Sequence, residues 1–260
     1  METYVFDGSL TGLLSAVFIA YERRSDAVKV VSQDRYQPDL LGGGIKIDAD
    51  SRQADRVWKG LAKRVGAAGL NTFYAAFLGE DAQGYQSLFD LSRAVFDRGG
   101  DIMEDFGNVQ LLFVSQLARK VHREKHRMEA FVRFQKTADG LFTSFVAPDY
   151  NVLPLIRRHF TDRYADQRWL IYDSKRKYGL YYDGDSTAEV EIEFSGPTGK
   201  MRTSSLPENV LAEDEGLYQR LWKGYFNHTN IAARKNTKLH IRHIPKRYWR
   251  YLTEKSDLHL

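Results

Sequence analysis

The sequence predicts an α+β fold, with an antiparallel sheet of about four to five strands in the middle of the chain packed with N- and C-terminal helices. Three observations point there. Apolar residues recur at helical spacing through much of the first 126 positions. Between residues 128 and 194 the pattern changes to short alternating runs punctuated by turn residues. After residue 208 helical spacing returns. No internal repeat or long linker interrupts the 260 residues. They are expected to form a single compact domain, with residues 1–107 as a candidate helical subdomain.

Residues 3–6 read as a short strand, and Asp7-Gly8 as a turn. Ser9 is placed to cap a helix bearing Leu13, Leu14, Val17, Phe18 and Tyr21. Residues 27–31 form a second strand. Residues 40–47 contain Gly42-Gly43-Gly44 without the spacing of a phosphate-binding motif, so a flexible loop is expected. Helices follow over 51–65, 70–78 and 85–96, and a long one over 108–126. The first of these puts Ala54, Val57, Trp58, Leu61 and Val65 on one face.

Residues 128–135 alternate well enough to predict a strand, paired through Ala138-Asp139-Gly140 with a second at 140–146. A helix is expected at 152–164, then a hairpin of 169–172 with 178–182. Residues 188–194 alternate Val190, Ile192 and Phe194 with Glu189, Glu191 and Glu193, the pattern of a half-buried strand. Residues 208–226 are predicted helical with Leu217, Leu221, Trp222 and Tyr225 inward. If residues 231–242 form a helix, Pro245 then suits the first position of a last one.

The absence of cysteine excludes disulfides, thiolate catalysis and Cys-ligated metal or iron–sulfur centres. With no leader pattern and no apolar run near the ~20 residues of a membrane helix, a cytoplasmic protein is expected. No cofactor is expected.

The net charge of +4 is unevenly placed. Residues 1–118 carry a net −4, and 119–218 are neutral. Residues 219–250 hold nine Lys/Arg and no Asp/Glu, with five aromatics interleaved. Such a segment suits DNA or another polyanion: cations position phosphates, and aromatic rings can stack on bases. If 231–242 is helical, Arg234, Lys235, Lys238 and Arg242 share an arc of roughly 100°. Lys246, Arg247 and Arg250 extend the segment, and Lys175 and Arg176 at a hairpin tip could probe the same polyanion. The bland reading of each is a solvated basic surface.

Candidate catalytic residues are Glu124, His126, Arg127, Arg133 and Asp173, in which a His–Glu pair could do acid–base work. Their bland reading is a set of salt bridges at the end of a long helix. His122 and His126 lie four apart on that helix, but Glu124 falls on its opposite side, and a third metal ligand would have to come from elsewhere, for example Asp173 or His159. No metal site is assigned.

The motif order is DGSxxGLL, ExHRMxxFVRF, PDxNVLPLIxxHFxxRY, QxWxIYDxKRKYG and WxxYF, then IAxRxN and HIPKRYWxYLTE. This order resembles a bacterial family of probable DNA metabolism proteins that carry a domain of unknown function. The resemblance is most specific from residue 120 to 254. It implies a partner, a radical-SAM protein of DNA modification or repair encoded alongside. It also implies association with a uracil-DNA-glycosylase-like protein, to which some members are fused. Neither chemistry could reside here, since the chain lacks both the glycosylase part and cysteine. The expectation is an accessory protein that binds nucleic acid through its basic C-terminal segment. The alternative is an enzyme acting on nucleic acid or a nucleotide-like small molecule with a His/Arg/Asp site.

Overall fold

In the computed structural model, residues 1–38, 43–98, 100–105, 107–192, 210–229, 241 and 244–255 are described. The chain divides into two compact units, Met1–Arg123 and Glu124–Leu260.

The first unit is built on β1 (Glu2–Phe6), whose Tyr4 and Phe6 are fully buried. Helix α1 (Leu10–Glu22) carries the chain back to β2 (Val28–Ser32), and β3 (Ile45–Lys46) adds to the other side of β1. All three strands are parallel, in the order β2-β1-β3. The predicted loop over 40–47 thus contains a strand, too short for alternation to reveal; the Ile47 N–H extends its pairing to Val5 O at 2.8 Å. Ser9 caps α1 as expected, its Oγ accepting from Gly12 N at 2.9 Å. A Cβ on Gly12 would run into the Asp7 carboxylate, which would have to shift and disturb the bonds it accepts from Ser9.

Helix α2 (Ser51–Phe77) joins two segments predicted as separate helices. Its N-cap Asp50 accepts from Arg52 N at 2.7 Å and Gln53 N at 3.1 Å. The interruption expected between the segments is at Gly66, which sits at φ 65°, ψ −177°. Helix α3 (Ala82–Arg98) buries Leu88, Phe89, Leu91 and Val95. Its Gln86 side chain accepts from Val30 N at 2.9 Å and donates to Val28 O at 3.1 Å, completing backbone groups of β2 that the sheet leaves unpaired. Helix α4 (Val109–Phe131) contains the division between the units.

In the second unit a five-stranded sheet has the order β4 (Gln135–Lys136), β5 (Phe142–Val146), β6 (Trp169–Asp173), β7 (Tyr178–Tyr182), β8 (Thr187–Val190). Its strand number and place in the chain match expectation, but the sheet is mixed rather than antiparallel. β5 and β6 run parallel because α5 (Leu153–Arg163) connects them as a crossover. The remaining neighbours are antiparallel.

The predicted strand over 128–135 is a second correction. Helix α4 continues to Phe131, since Val121, Glu124, Met128 and Phe131, at spacings of three and four, are all buried. Only Gln135–Lys136 remain to pair with β5.

Helix α6 (Glu215–Thr229) starts later than predicted. Its Leu217, Leu221 and Trp222 are 49%, 59% and 40% exposed rather than inward. The helix is fixed from its first turn instead: buried Glu215 accepts from Lys136 N at 3.0 Å. Pro245 caps a 3-10 helix, Lys246–Tyr251, whose Tyr248 is buried. No described helix is long and apolar enough to cross a membrane.

Candidate functional site

The inward face of α4 carries a carboxylate. Glu124 is 1% exposed, between buried Val121 and Met128. A charge so placed must be paired and hydrogen-bonded. Its Oε1 accepts from Asp149 N at 3.0 Å, and its Oε2 accepts from the Tyr248 hydroxyl. Arg247 Nη2 lies 3.4 Å and Arg127 Nη1 3.5 Å from Oε2. Burial, then the bond to Glu124 and its charge, push the Tyr248 phenol well up. Arg247 also reaches Asp149 Oδ2 at 2.8 Å, and its guanidinium lies 4.5 Å from the Tyr248 ring centroid. Burial would lower the Arg247 pKa, but Tyr248, Asp149 and Glu124 together raise it.

Asp173 ends β6 and is fully buried. Its Oδ1 accepts from the backbone of Lys175 (2.9 Å) and Arg176 (3.2 Å), which closes the turn into β7. Its Oδ2 accepts from Arg176 Nη1 at 2.8 Å. Burial raises the Asp173 pKa, and Arg176 opposes that without cancelling it. Arg176 donates further to Pro148 O (3.1 Å) and Asp149 O (3.2 Å), and Lys175 Nζ reaches Asp149 O at 2.9 Å.

Asp149 therefore joins the two clusters. Its N–H serves Glu124, its carboxylate Arg247, and its carbonyl Lys175 and Arg176. The loop at the carboxyl end of β5 is held from both sides. In parallel sheets this end is where ligands commonly bind. Here the side chains are turned on one another, with the half-exposed Arg247–Asp149 pair at the solvent edge.

Other sequence-nominated residues lie apart from this network. Arg133 pairs with Glu254 at 3.0 Å and stands over Trp222, which donates to Glu254 Oε2 at 2.8 Å. The His126 side chain is 87% exposed, 3.8 Å from Glu129. Among the described residues no three His, Asp or Glu converge as metal ligands would. Lys246 and Arg250 are exposed, over the rings of Trp249 and Tyr251. Arg234, Lys235, Lys238 and Arg242 lie outside the described residues.

Sequence reasoning missed Asp149 and Glu254. Both stood inside the family motifs, Asp149 in PDxNVLPLI and Glu254 at the end of HIPKRYWxYLTE, but neither carried a pattern that pointed to an ion pair.

A family model described as a domain of unknown function, DUF4130, matches residues 82–254. The chain belongs to the DUF4130 family. The Glu124–Asp149–Asp173 network lies inside the DUF4130 match, and β1 through α2 lie outside it. No curated protein and no solved structure matches the chain.

Glu254 gives a pH prediction. Burial would raise its pKa, but the bond and charge of Arg133, with Trp222, hold it below the ordinary 4.5. A carboxylate depressed by folding adds stability above its unfolded pKa and loses it as pH falls through the folded value. Urea unfolding from about pH 3 to pH 6 should therefore show a steeper acid loss in the parent than in Glu254→Gln. Identical pH dependence in the two proteins would remove this role from Glu254.

Proposed function

We propose that this DUF4130 protein is a nucleic-acid-binding accessory factor of DNA metabolism that works beside a radical-SAM-type repair or modification enzyme. The observation that carries the reading is the run of nine Lys/Arg without an acidic residue over 219–250. A segment of that charge attracts phosphates even on a nearly neutral protein. The described cations divide in a way that supports it. Within 219–250, Arg220, Lys246 and Arg250 are exposed, while Arg247 is paired with Glu124 and Asp149; of the hairpin-tip cations, Arg176 is closed on Asp173. The radical-SAM and glycosylase-like partners rest on the motif resemblance alone.

The alternative, an enzyme acting on nucleic acid or a nucleotide-like molecule, draws less support. His126 is turned to solvent, and Arg133 and Asp173 are closed in separate ion pairs.

The test is anisotropy of labelled single- and double-stranded DNA across salt concentrations. Affinity should fall steeply with salt, with a slope near −0.9 on logarithmic axes for each duplex phosphate contacted. The combined Arg234→Ala, Lys238→Ala, Arg242→Ala variant should bind more weakly with a shallower slope. No binding at low salt, or a triple variant indistinguishable from the parent, rejects the reading. Co-purification with the radical-SAM protein, with and without DNA, checks the partner.

A further inference from the structure

Residues 1–118 are acidic in sum, yet five of their twelve Lys/Arg fall within 52–64. Helix α2 sorts them. Ala54, Val57 and Leu61 are buried. On the opposite side Arg52, Arg56, Lys59 and Lys63 fall within an arc of about 60° at 100° per residue. All four are exposed. They succeed one another at about 4.5–6 Å along the axis and span roughly 16 Å.

With Asp55 and Arg64 these cations line an open groove of ≈ 560 Å³. Asp55 is the one acid in that lining, 3.8 Å from Lys59. The Arg56 guanidinium is steadied 5.6 Å from the Phe18 ring centroid. Arg64 lies 4.9 Å from that of Phe96 and donates to Gly60 O at 3.0 Å.

The arrangement works against the helix. Arg52–Arg56, Arg56–Lys59 and Lys59–Lys63 are like-charge neighbours at spacings of three or four, and each such pair weakens a helix. Arg52 also sits in the first turn, where the helix dipole disfavours cations. An ordinary solvated face intersperses acids.

We infer that this face of α2 is a contact surface for the phosphate backbone of nucleic acid. A row of one sign over roughly 16 Å suits a linear polyanion better than a single small anion. The lining is charged apart from Gly60, with no apolar wedge to enter a bilayer. The inference rests on the nucleic-acid reading above but assigns contacts to a different unit and to residues outside the DUF4130 match.

The test uses the full chain with Arg52→Gln, Arg56→Gln, Lys59→Gln and Lys63→Gln combined. If all four contact duplex phosphates, the logarithmic salt slope becomes shallower by about 3–4, and low-salt affinity falls roughly tenfold or more. Asp55→Asn, which removes the one acid, should tighten binding, a gain that misfolding could not produce. Binding by the parent with an unchanged slope in the quadruple variant overturns this inference and leaves the C-terminal reading standing. Binding lost in the quadruple variant but kept when Arg234, Lys238 and Arg242 become Ala upholds it and rejects that reading. A parent that binds anionic phosphatidylserine vesicles but neither form of DNA overturns both.

Discussion

Asp173→Ala is expected to destabilise the protein by about 3–5 kcal/mol, the usual effect of breaking a buried ion pair. Both partners are inside: the side chains of Asp173 and Arg176 are 0% and 9% exposed. Removing the carboxylate leaves the guanidinium buried without its counter-charge and frees the backbone N–H groups of Lys175 and Arg176. The raised pKa of Asp173 shows that burial outweighs its partners, so the pair need not stabilise the fold against an apolar substitute. Asp173→Leu with Arg176→Met should accordingly be less harmful than either change alone. Urea denaturation at neutral pH measures all of these. A loss below about 1 kcal/mol for Asp173→Ala would remove the pair from any structural role.

Glu124→Ala should have an effect of similar size, about 3–5 kcal/mol, for a related reason. The Asp149 N–H and the Tyr248 hydroxyl lose their acceptor, and the guanidinium groups of Arg127 and Arg247 lose a buried counter-charge. Tyr248→Phe removes the bond donated to Glu124 and the one accepted from Arg247, both to charged groups, and should cost at least about 1.5–3 kcal/mol. Because the two side chains touch, their effects should not add, and a double-mutant cycle should show coupling above roughly 0.5 kcal/mol. Additive effects would mean that Glu124 and Tyr248 act independently, against the network described.

How legible this fold was depended on how far each element's pattern reached. Helix α1 could be read from Ser9 and its apolar spacing because capping and periodicity are local. The β6–β7 hairpin was legible for the same reason. The direction of β5 against β6 was not, since it follows from α5 being a crossover rather than from any residue in either strand. Residues 128–134 misled because MEAFVRF satisfies both an alternating and a helical pattern. Burial of Glu124 beside Val121 and Met128 decided for the helix. The site was nominated in part through Glu124, Arg127 and Asp173, but its grouping depends on Asp149 and Arg247, distant in sequence from all three. The α2 row was visible as SRQADRVWKGLAKR, yet the net charge of −4 over 1–118 concealed it.

The way α3 is embedded bears on whether the family-defining region can stand by itself. Residues 82–254 begin with this helix, but its neighbours α1, α2 and β2 precede that boundary. Tyr85 packs edge-on against Phe6, and Gln86 is bonded to the backbone of β2. A fragment cut at the family boundary would uncover Leu88, Phe89, Leu91 and Val95. At about 1.5–3 kcal/mol for each buried side chain, that forfeits roughly 6–12 kcal/mol. Whole domains are stable by only about 5–15 kcal/mol. The first helix of the stretch recognisable as DUF4130 thus depends on some eighty residues that precede the match, whereas Glu124–Leu260 forms a compact unit of its own.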